Sequence, residues 1–167
     1  MRFTYCPDCG SRLSMRIIGD EGEVPYCERC KKPLFDMFST CIIALVVNEK
    51  GEAALLRQGY LSHTWCTLVS GYMKPGEKAE EAARREIEEE TGLQAEKLTF
   101  TGTYWFDKKD MLMIGFIAKC RKKDFVLSRE VDGAFWVPAE QAVDLVHPGK
   151  SISRLLLDAY LEQKRKN

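Results

Sequence analysis

No run of apolar residues in this chain approaches the roughly 20 that a membrane-spanning helix requires, so no helical span is expected. An excess of either charge is also missing, since 25 Lys and Arg stand against 25 Asp and Glu. Binding along a phosphate backbone ordinarily shows as a basic excess, so long duplex nucleic acid is not an expected partner. Internal repeats and low-complexity tracts are absent. Met1 to Cys9 is polar and already holds two cysteines, which does not resemble a secretory signal, so a cytoplasmic location is expected. Histidine is scarce, and His63 and His147, in loop-like contexts without a partnering base or ligand, read as surface residues. What is present is 167 residues, 45% of them hydrophobic, enough to bury a sizeable core in one domain beside a small module.

Four of the seven cysteines define that module: CPDC supplies Cys6 and Cys9, and after seventeen residues CERC supplies Cys27 and Cys30. Two CxxC knuckles present four thiolates to one tetrahedral Zn²⁺, the arrangement of a zinc ribbon. A pair of disulfides and a thioredoxin-like redox motif are the competing readings. The ribbon, expected over residues 1–36, has too few apolar groups for a core of its own, so metal binding should supply most of its folding free energy. Cys41, Cys66 and Cys120 lie in apolar, strand-like runs and read as small buried hydrophobes.

The stretch Gly71 to Leu93, GYMKPGEKAEEAARREIEEETGL, joins a glycine-rich turn to a helix. Pro75, Gly76 and Glu77 announce the helix start and Gly92 its stop, which predicts a helix from Lys78 to Glu90. At about 100° per residue, Glu89 and Glu90 fall within about 60° of Glu86, beside Ala79, Ala82 and Ala83 on the inward side. Glu81, Arg84 and Glu88 lie opposite, with Arg84 and Glu88 spaced for a solvated i, i+4 pair. An acidic solvent face is the plain alternative. Carboxylates crowded on an alanine face repel one another and lose solvation, however, a cost relieved by protonation or by a cation. Magnesium suits such a site, because it takes a few carboxylates together with substrate phosphates.

Strands are predicted over Thr40 to Val47 and Glu52 to Arg57, joined by the turn Asn48 to Gly51, then over Cys66 to Ser70. Leu98 to Phe106 and Met111 to Cys120 read as a longer pair, and Ala134 to Val137 as a last strand. Pro138 to Leu145 and Ser151 to Lys164 read as helices, the second with Ile152, Leu155, Leu156, Ala159 and Tyr160 on its core side. The charged tail Lys164 to Asn167 is expected to fray. Propensity alone supports a mixed α/β domain.

Gly71, Glu77, Arg85, Glu86, Ile87, Glu89, Glu90, Gly92 and Leu93 together resemble the signature of the Nudix hydrolases. That resemblance implies an α/β/α sandwich with a mixed sheet over residues 37–167, following the ribbon. It implies Glu86, Glu89 and Glu90 as ligands for Mg²⁺ or Mn²⁺, an ion pair between Glu77 and Arg85 bracing the loop, and cleavage of a diphosphate linked to a nucleoside. The expected chemistry is in-line attack by water on phosphorus without a covalent intermediate, with Glu89 the candidate general base. Arg57 and Lys74 are either added positive charge near the phosphates or ordinary surface cations. Gly71 and Tyr72 are candidates for substrate contact, and Trp65 and Tyr72 are weaker stacking candidates.

The ribbon, the run MLMIGFIAKC from Met111, EVDGAFWV from Glu130 and PGKSISRLLL from Pro148 are similar to the NADH pyrophosphatase branch of that family. This likeness implies cleavage of NAD(H) to AMP and nicotinamide mononucleotide, a homodimer, and Glu130 as a further metal ligand, the competing reading of Glu130 being a surface loop carboxylate. The branch's SQPWPFPxS array is replaced here by TGTYWFDKKDM from Thr101 to Met111. Its aromatic centre survives in Tyr104, Trp105 and Phe106, read either as stacking groups for the substrate or as core plus one exposed ring. ADP-ribose or a nucleotide sugar is the alternative substrate within the class. A non-catalytic nucleotide-sensing or binding module is the alternative outside it.

Overall fold

The computed structural model describes residues 3–166. Two compact units divide between Ser39 and Thr40. In the first, strands β1 (Ser14–Ile17), β2 (Glu23–Cys27) and β3 (Lys32–Pro33) form an antiparallel sheet in the order β1-β2-β3. Its interior is small: Cys6, Cys27 and Leu34 are buried, with Phe3, Leu13, Cys9 and Cys30 packed against them.

The second unit is built on β4 (Ser39–Val47), whose residues Cys41 to Val47 are all buried. A strand buried throughout must be covered on both faces, and alternation along it shows by what. Ile42, Ala44 and Val46 join Ala54 and Leu56 of β5 (Glu52–Arg57) and meet Ala82, Ala83 and Ile87 of helix α1 (Ala79–Thr91). Ile43, Leu45 and Val47 join Ala53 and Leu55 and meet Leu156 and Leu157 of a second helix (Ile152–Lys166). The sheet is therefore sandwiched between α1 and the C-terminal helix, as the resemblance implied.

Strands β6 (Val69–Tyr72), β7 (Lys97–Phe106), β8 (Met111–Lys119) and β9 (Gly133–Pro138) complete the sheet in the order β7-β8-β4-β5-β9, with β6 antiparallel to β4. The sheet is mixed: the Cys120 amide, just beyond β8, donates to the Val47 carbonyl at the same end of β4, so these neighbours run in one direction. The other pairings are antiparallel.

Several predicted elements change their bounds. The third strand begins at Val69 rather than Cys66, because Cys66 and Thr67 make isolated bridges to Val146 and Leu56 before the ladder with β4 starts. The helix expected from Pro138 to Leu145 contracts to α2 (Ala139–Ala142), since the Leu145 carbonyl is drawn into a bond from the Cys66 amide. The C-terminal helix, α3, buries Leu156 and Leu157 and turns Leu155 outward, so the expected stripe is rotated. Nor does its end fray as expected: Lys164 is helical and its Nζ lies 2.8 Å from Glu140 Oε1, while Asn167 falls outside the described residues. Among the described residues no helix is long and apolar enough to cross a membrane.

Candidate active site

Helix α1 is delivered to its place by two local devices. The Glu81 carboxylate reaches back to the Lys78 amide (3.0 Å), satisfying a donor that the first turn leaves unpaired. At the other end Gly92 adopts φ 70°, and a Cβ there would lie 2.7 Å from Val126 Cβ, so both conformation and space call for glycine. The helix then lies beside β6, with Glu86 packed directly over Gly71. A Cβ on Gly71 would come within 2.0 Å of Glu86 Cδ. Gly71→Ala is expected to keep the β4–β6 ladder but swing Glu86 away, lowering metal affinity by about 10- to 100-fold, the range seen when groups orienting metal ligands are lost. Unchanged Mn²⁺ binding in a titration of that variant would contradict this.

Arg85 organises the mouth of the site. Its Nε and Nη2 grip Glu77 Oε1 and Oε2 at 2.7 and 2.9 Å, and Nη1 reaches Glu86 Oε1 at 2.5 Å and Glu89 Oε2 at 3.0 Å. Nη2 also donates to the Tyr72 carbonyl (3.1 Å), and Glu77 accepts from the Lys74 amide (2.9 Å). The bidentate guanidinium holds the Glu77 carboxyl at about 2, well below the usual range. One guanidinium thus faces three carboxylates, and negative charge remains in excess. Lys74 Nζ approaches Glu89 Oε1 only to 3.9 Å, and both side chains are exposed.

Glu90 behaves differently from its neighbours on the helical wheel. Its side chain is buried (4% exposed), Oε1 accepts from Gln58 Nε2 at 3.0 Å, and Oε2 has no hydrogen-bond partner. Burial pushes its carboxyl from 4.5 up to about 7; the Gln58 bond and, less strongly, the nearby Ser70 main chain oppose the rise, and the charges of Glu86 and Glu130 add to it. A value higher folded than unfolded means stability that is full below about pH 4.5 and is lost as pH climbs through about 7. In magnesium-free buffer this group should cost about 3 kcal/mol on going from pH 4.5 to 8, at about 1.4 kcal/mol per pH unit. Denaturant melts of Glu90→Gln are expected to lack that part of the pH dependence, and an equal slope in both proteins would refute it.

The inward side predicted for the glutamates is therefore graded: Glu90 is inside, Glu86 is nearly so, and Glu89 is 53% exposed. Arg84 also departs from expectation, because its guanidinium donates to the Ala95 carbonyl beyond the helix instead of pairing with Glu88. Glu130 sits in an exposed loop, and its charge reaches Glu90 and Tyr60. Gln58, Thr67 and Tyr60 escaped the sequence reading. Gln58 carried one signal, a polar side chain directly following the apolar strand β5. The orphaned Glu90 oxygen and the uncompensated charge around Arg85 fit a hard divalent cation.

The aromatic run divides. Tyr104 packs with Met113 into the core on the α3 face and its hydroxyl donates to Thr101 Oγ1 (3.3 Å), whereas Trp105 points the other way and stays 48% exposed. Strand alternation accounts for the difference, and it removes Tyr104 from the exposed face. Phe106 is half-buried and Tyr72 exposed. Trp65 lies 6.1 Å from the His147 ring, and the Arg57 guanidinium sits over Phe135 at 5.9 Å. His63 is exposed. Cys41, Cys66 and Cys120 are buried. Burial, and then the Glu86 charge, push the Cys41 thiol up to about 11, so it offers no thiolate nucleophile beside the glutamates.

In the first unit the Cys6, Cys9, Cys27 and Cys30 sulfurs all lie within 4.8 Å of one another. Cys6 to Cys30 is 3.9 Å and Cys9 to Cys27 is 3.5 Å, too far for disulfides at about 2.05 Å. They match the edge of a zinc–thiolate tetrahedron, about 3.8 Å for bonds of about 2.3 Å. Hydrogen bonds from Ser11 lower the Cys9 thiol to about 6, and its bond with Cys30 helps push Cys30 up to about 12.

A glycine-gated, arginine-braced glutamate helix in an α/β/α sandwich defines a class. The profile of the NUDIX domain matches residues 37–160, and the chain belongs to that family. Within it, the chain is similar to the NAD-capped RNA hydrolase NudC of Pseudomonas syringae pv. tomato, 29% identical over 163 residues that cover 96% of this chain and 56% of that protein. It is likewise similar to the NAD-capped RNA hydrolase NUDT12 of Pongo abelii, 26% identical over 156 residues, covering 89% and 34%. These relatives belong to the NADH pyrophosphatase-like branch, and this chain spans between a third and somewhat over half of their lengths. The crystal structure of a NUDIX hydrolase from Nitrosomonas europaea shares the fold, with TM-score 0.74 and 18% identity over 99% of this chain and 94% of that one.

Proposed function

We propose that this chain is a magnesium-dependent hydrolase that splits the diphosphate linkage of NAD(H) into AMP and nicotinamide mononucleotide. The observation that carries the reading is the glutamate cluster itself: three carboxylates share one guanidinium, and beside them a buried glutamate has one oxygen unpaired. Glu86, Glu89, Glu90 and Glu130 would hold Mg²⁺ or Mn²⁺. When bound, the metal neutralises diphosphate oxygens and favours in-line attack by water at phosphorus. Arg85 and Glu77 keep the loop and the helix in register, and Gly71 leaves the space Glu86 needs. Glu89, the exposed member, would take the proton from the attacking water as one P–O bond forms and the anhydride P–O bond breaks. Trp105 presents the ring for stacking on a base or nicotinamide, with Phe106 and Tyr72 as further contacts. Cys6, Cys9, Cys27 and Cys30 hold structural Zn²⁺ in a ribbon, and residues 37–167 form the catalytic domain.

The relatives' names extend the same chemistry to an NAD cap on RNA. The even charge balance supports recognition of the cap rather than of the RNA body. A cytoplasmic homodimer completes this reading, and light scattering tests the dimer. Product chromatography after incubation with Mg²⁺ and NADH, NAD⁺, NAD-capped RNA, ADP-ribose or a nucleotide sugar tests the substrate. AMP is expected from NADH and NAD⁺ alike, with reduced nicotinamide mononucleotide from NADH and the oxidised form from NAD⁺. Cleavage confined to ADP-ribose or the sugar would replace the substrate, and no turnover of any compound would favour a nucleotide-sensing module.

A further inference from the structure

Glu90 is held by a residue that the family resemblance did not mark. Gln58 follows directly on β5, is 1% exposed, and bridges the sheet to α1 across 32 residues of sequence. Its Nε2 donates to Glu90 Oε1 at 3.0 Å and lies 3.4 Å from the Tyr60 hydroxyl, and its Oε1 accepts from Thr67 Oγ1 at 2.6 Å. Thr67 is itself fixed, because its amide and carbonyl both pair with Leu56 at 2.9 Å. The Gln58 carbonyl accepts from the Leu61 and Ser62 amides at 2.9 and 3.0 Å, so the main chain is pinned as well. A buried carboxamide is costly unless its donors and acceptor are used, and here they are used to aim one carboxylate.

The chemistry of the donor matters as much as its position. Glu86 and Glu89 share with Glu77 the one full positive charge of Arg85. At Glu90 the donor is a neutral amide, which fixes Oε1 by direction and leaves the carboxylate's charge for something else. Oε2 is the oxygen left without a partner. A cationic side chain in place of Gln58 would satisfy Glu90 and compete with a metal ion, and an apolar one would let the carboxyl turn. We propose that Gln58, oriented by Thr67, is a positioning residue that presents Glu90 Oε2 to the divalent cation. This rests on the reading of the glutamate cluster as a metal site.

The test is Mn²⁺ titration of the substrate-free protein followed by electron paramagnetic resonance, comparing wild type with Gln58→Met, Thr67→Val, Thr67→Ser and Glu90→Gln, each checked for its melting temperature. Outer-shell groups of this kind affect metal affinity by about 10- to 100-fold, and Gln58→Met is expected to weaken Mn²⁺ within that range. Thr67→Val, nearly isosteric, should weaken it less, and Thr67→Ser should restore it. At saturating Mg²⁺ the kcat of Gln58→Met is expected to recover most of the wild-type value, since its role is to hold the ligand rather than to react. If Gln58→Met fails to fold, the contrast between Thr67→Val and Thr67→Ser carries the test. If Glu90→Gln loses Mn²⁺ while Gln58→Met and Thr67→Val bind it as tightly as wild type, Gln58 is only a strut between sheet and helix and the proposal falls. If Glu90→Gln itself binds Mn²⁺ normally, the metal-site reading falls and the proposal with it.

Discussion

Turnover of NADH by the Glu89→Gln variant is expected to fall by about 10²- to 10⁴-fold, the range associated with loss of a general acid or base. The substitution keeps size and hydrogen-bonding capacity while removing the charge and the ability to take a proton. It should leave the fold unchanged, because Glu89 is more than half exposed and its bond to Arg85 at 3.0 Å lies at the rim of the cluster. Glu77→Gln is the informative contrast. Glu77 accepts both the Nε and Nη2 bonds of Arg85 and the Lys74 amide, so its loss should loosen the loop and lower stability together with activity. A Glu89→Gln protein that melts like wild type and still binds Mn²⁺ but has lost turnover separates proton transfer from scaffolding and from metal binding. Full activity in that variant would remove Glu89 from the reaction and leave the proton to another group.

Removing the metal from the four-cysteine site is expected to unfold residues of the first unit. Its interior contains few buried apolar side chains, chiefly Val24 and Leu34, so the sheet β1-β2-β3 has little hydrophobic support of its own. Structural zinc in comparable small modules contributes an apparent ~10–16 kcal/mol at neutral pH, far more than such a core supplies. Cys27, fully buried among the four sulfurs, is the most sensitive position, and Cys27→Ser should reproduce the effect of a chelator. Hydrogen exchange resolved along the chain provides the measurement: protection should vanish from Ser14 to Pro33. The NADH assay on the same sample decides the ribbon's role. Retained turnover makes the ribbon a recognition arm; loss of cooperative unfolding throughout the chain makes it structural. Persistent protection in the chelated protein would show that the sheet stands without metal.

Much of the second unit was legible along the chain, because its signals are local. Short apolar runs marked β4 and β5, the Asn48 to Gly51 turn joined them, and Gly92 stopped the helix. The spacing of Cys6, Cys9, Cys27 and Cys30 likewise needed no tertiary information to point to one ion. The elements that moved are those whose ends are set by distant partners: Cys66 pairs with Val146, and this bridge shortened both the strand and the helix predicted around it.

For the site the division falls within three residues of one helix. Helical periodicity put Glu86, Glu89 and Glu90 on one side, and that is all a wheel can do, since it knows angle but not depth. The tertiary structure decided the depth: Glu90 sinks against β5 and meets Gln58, while Glu89 remains in solvent beside Arg85. Residue types and spacings along one strand or helix are properties of the sequence by itself, and they determined the class of protein, the thiolate set and the acidic helix. Which carboxylate is buried and which amide it meets depend on contacts between segments far apart in the chain. Those contacts exist only after the sheet has brought Gln58 and Thr67 to the helix, and burial there replaces the water that would otherwise make the three glutamates alike.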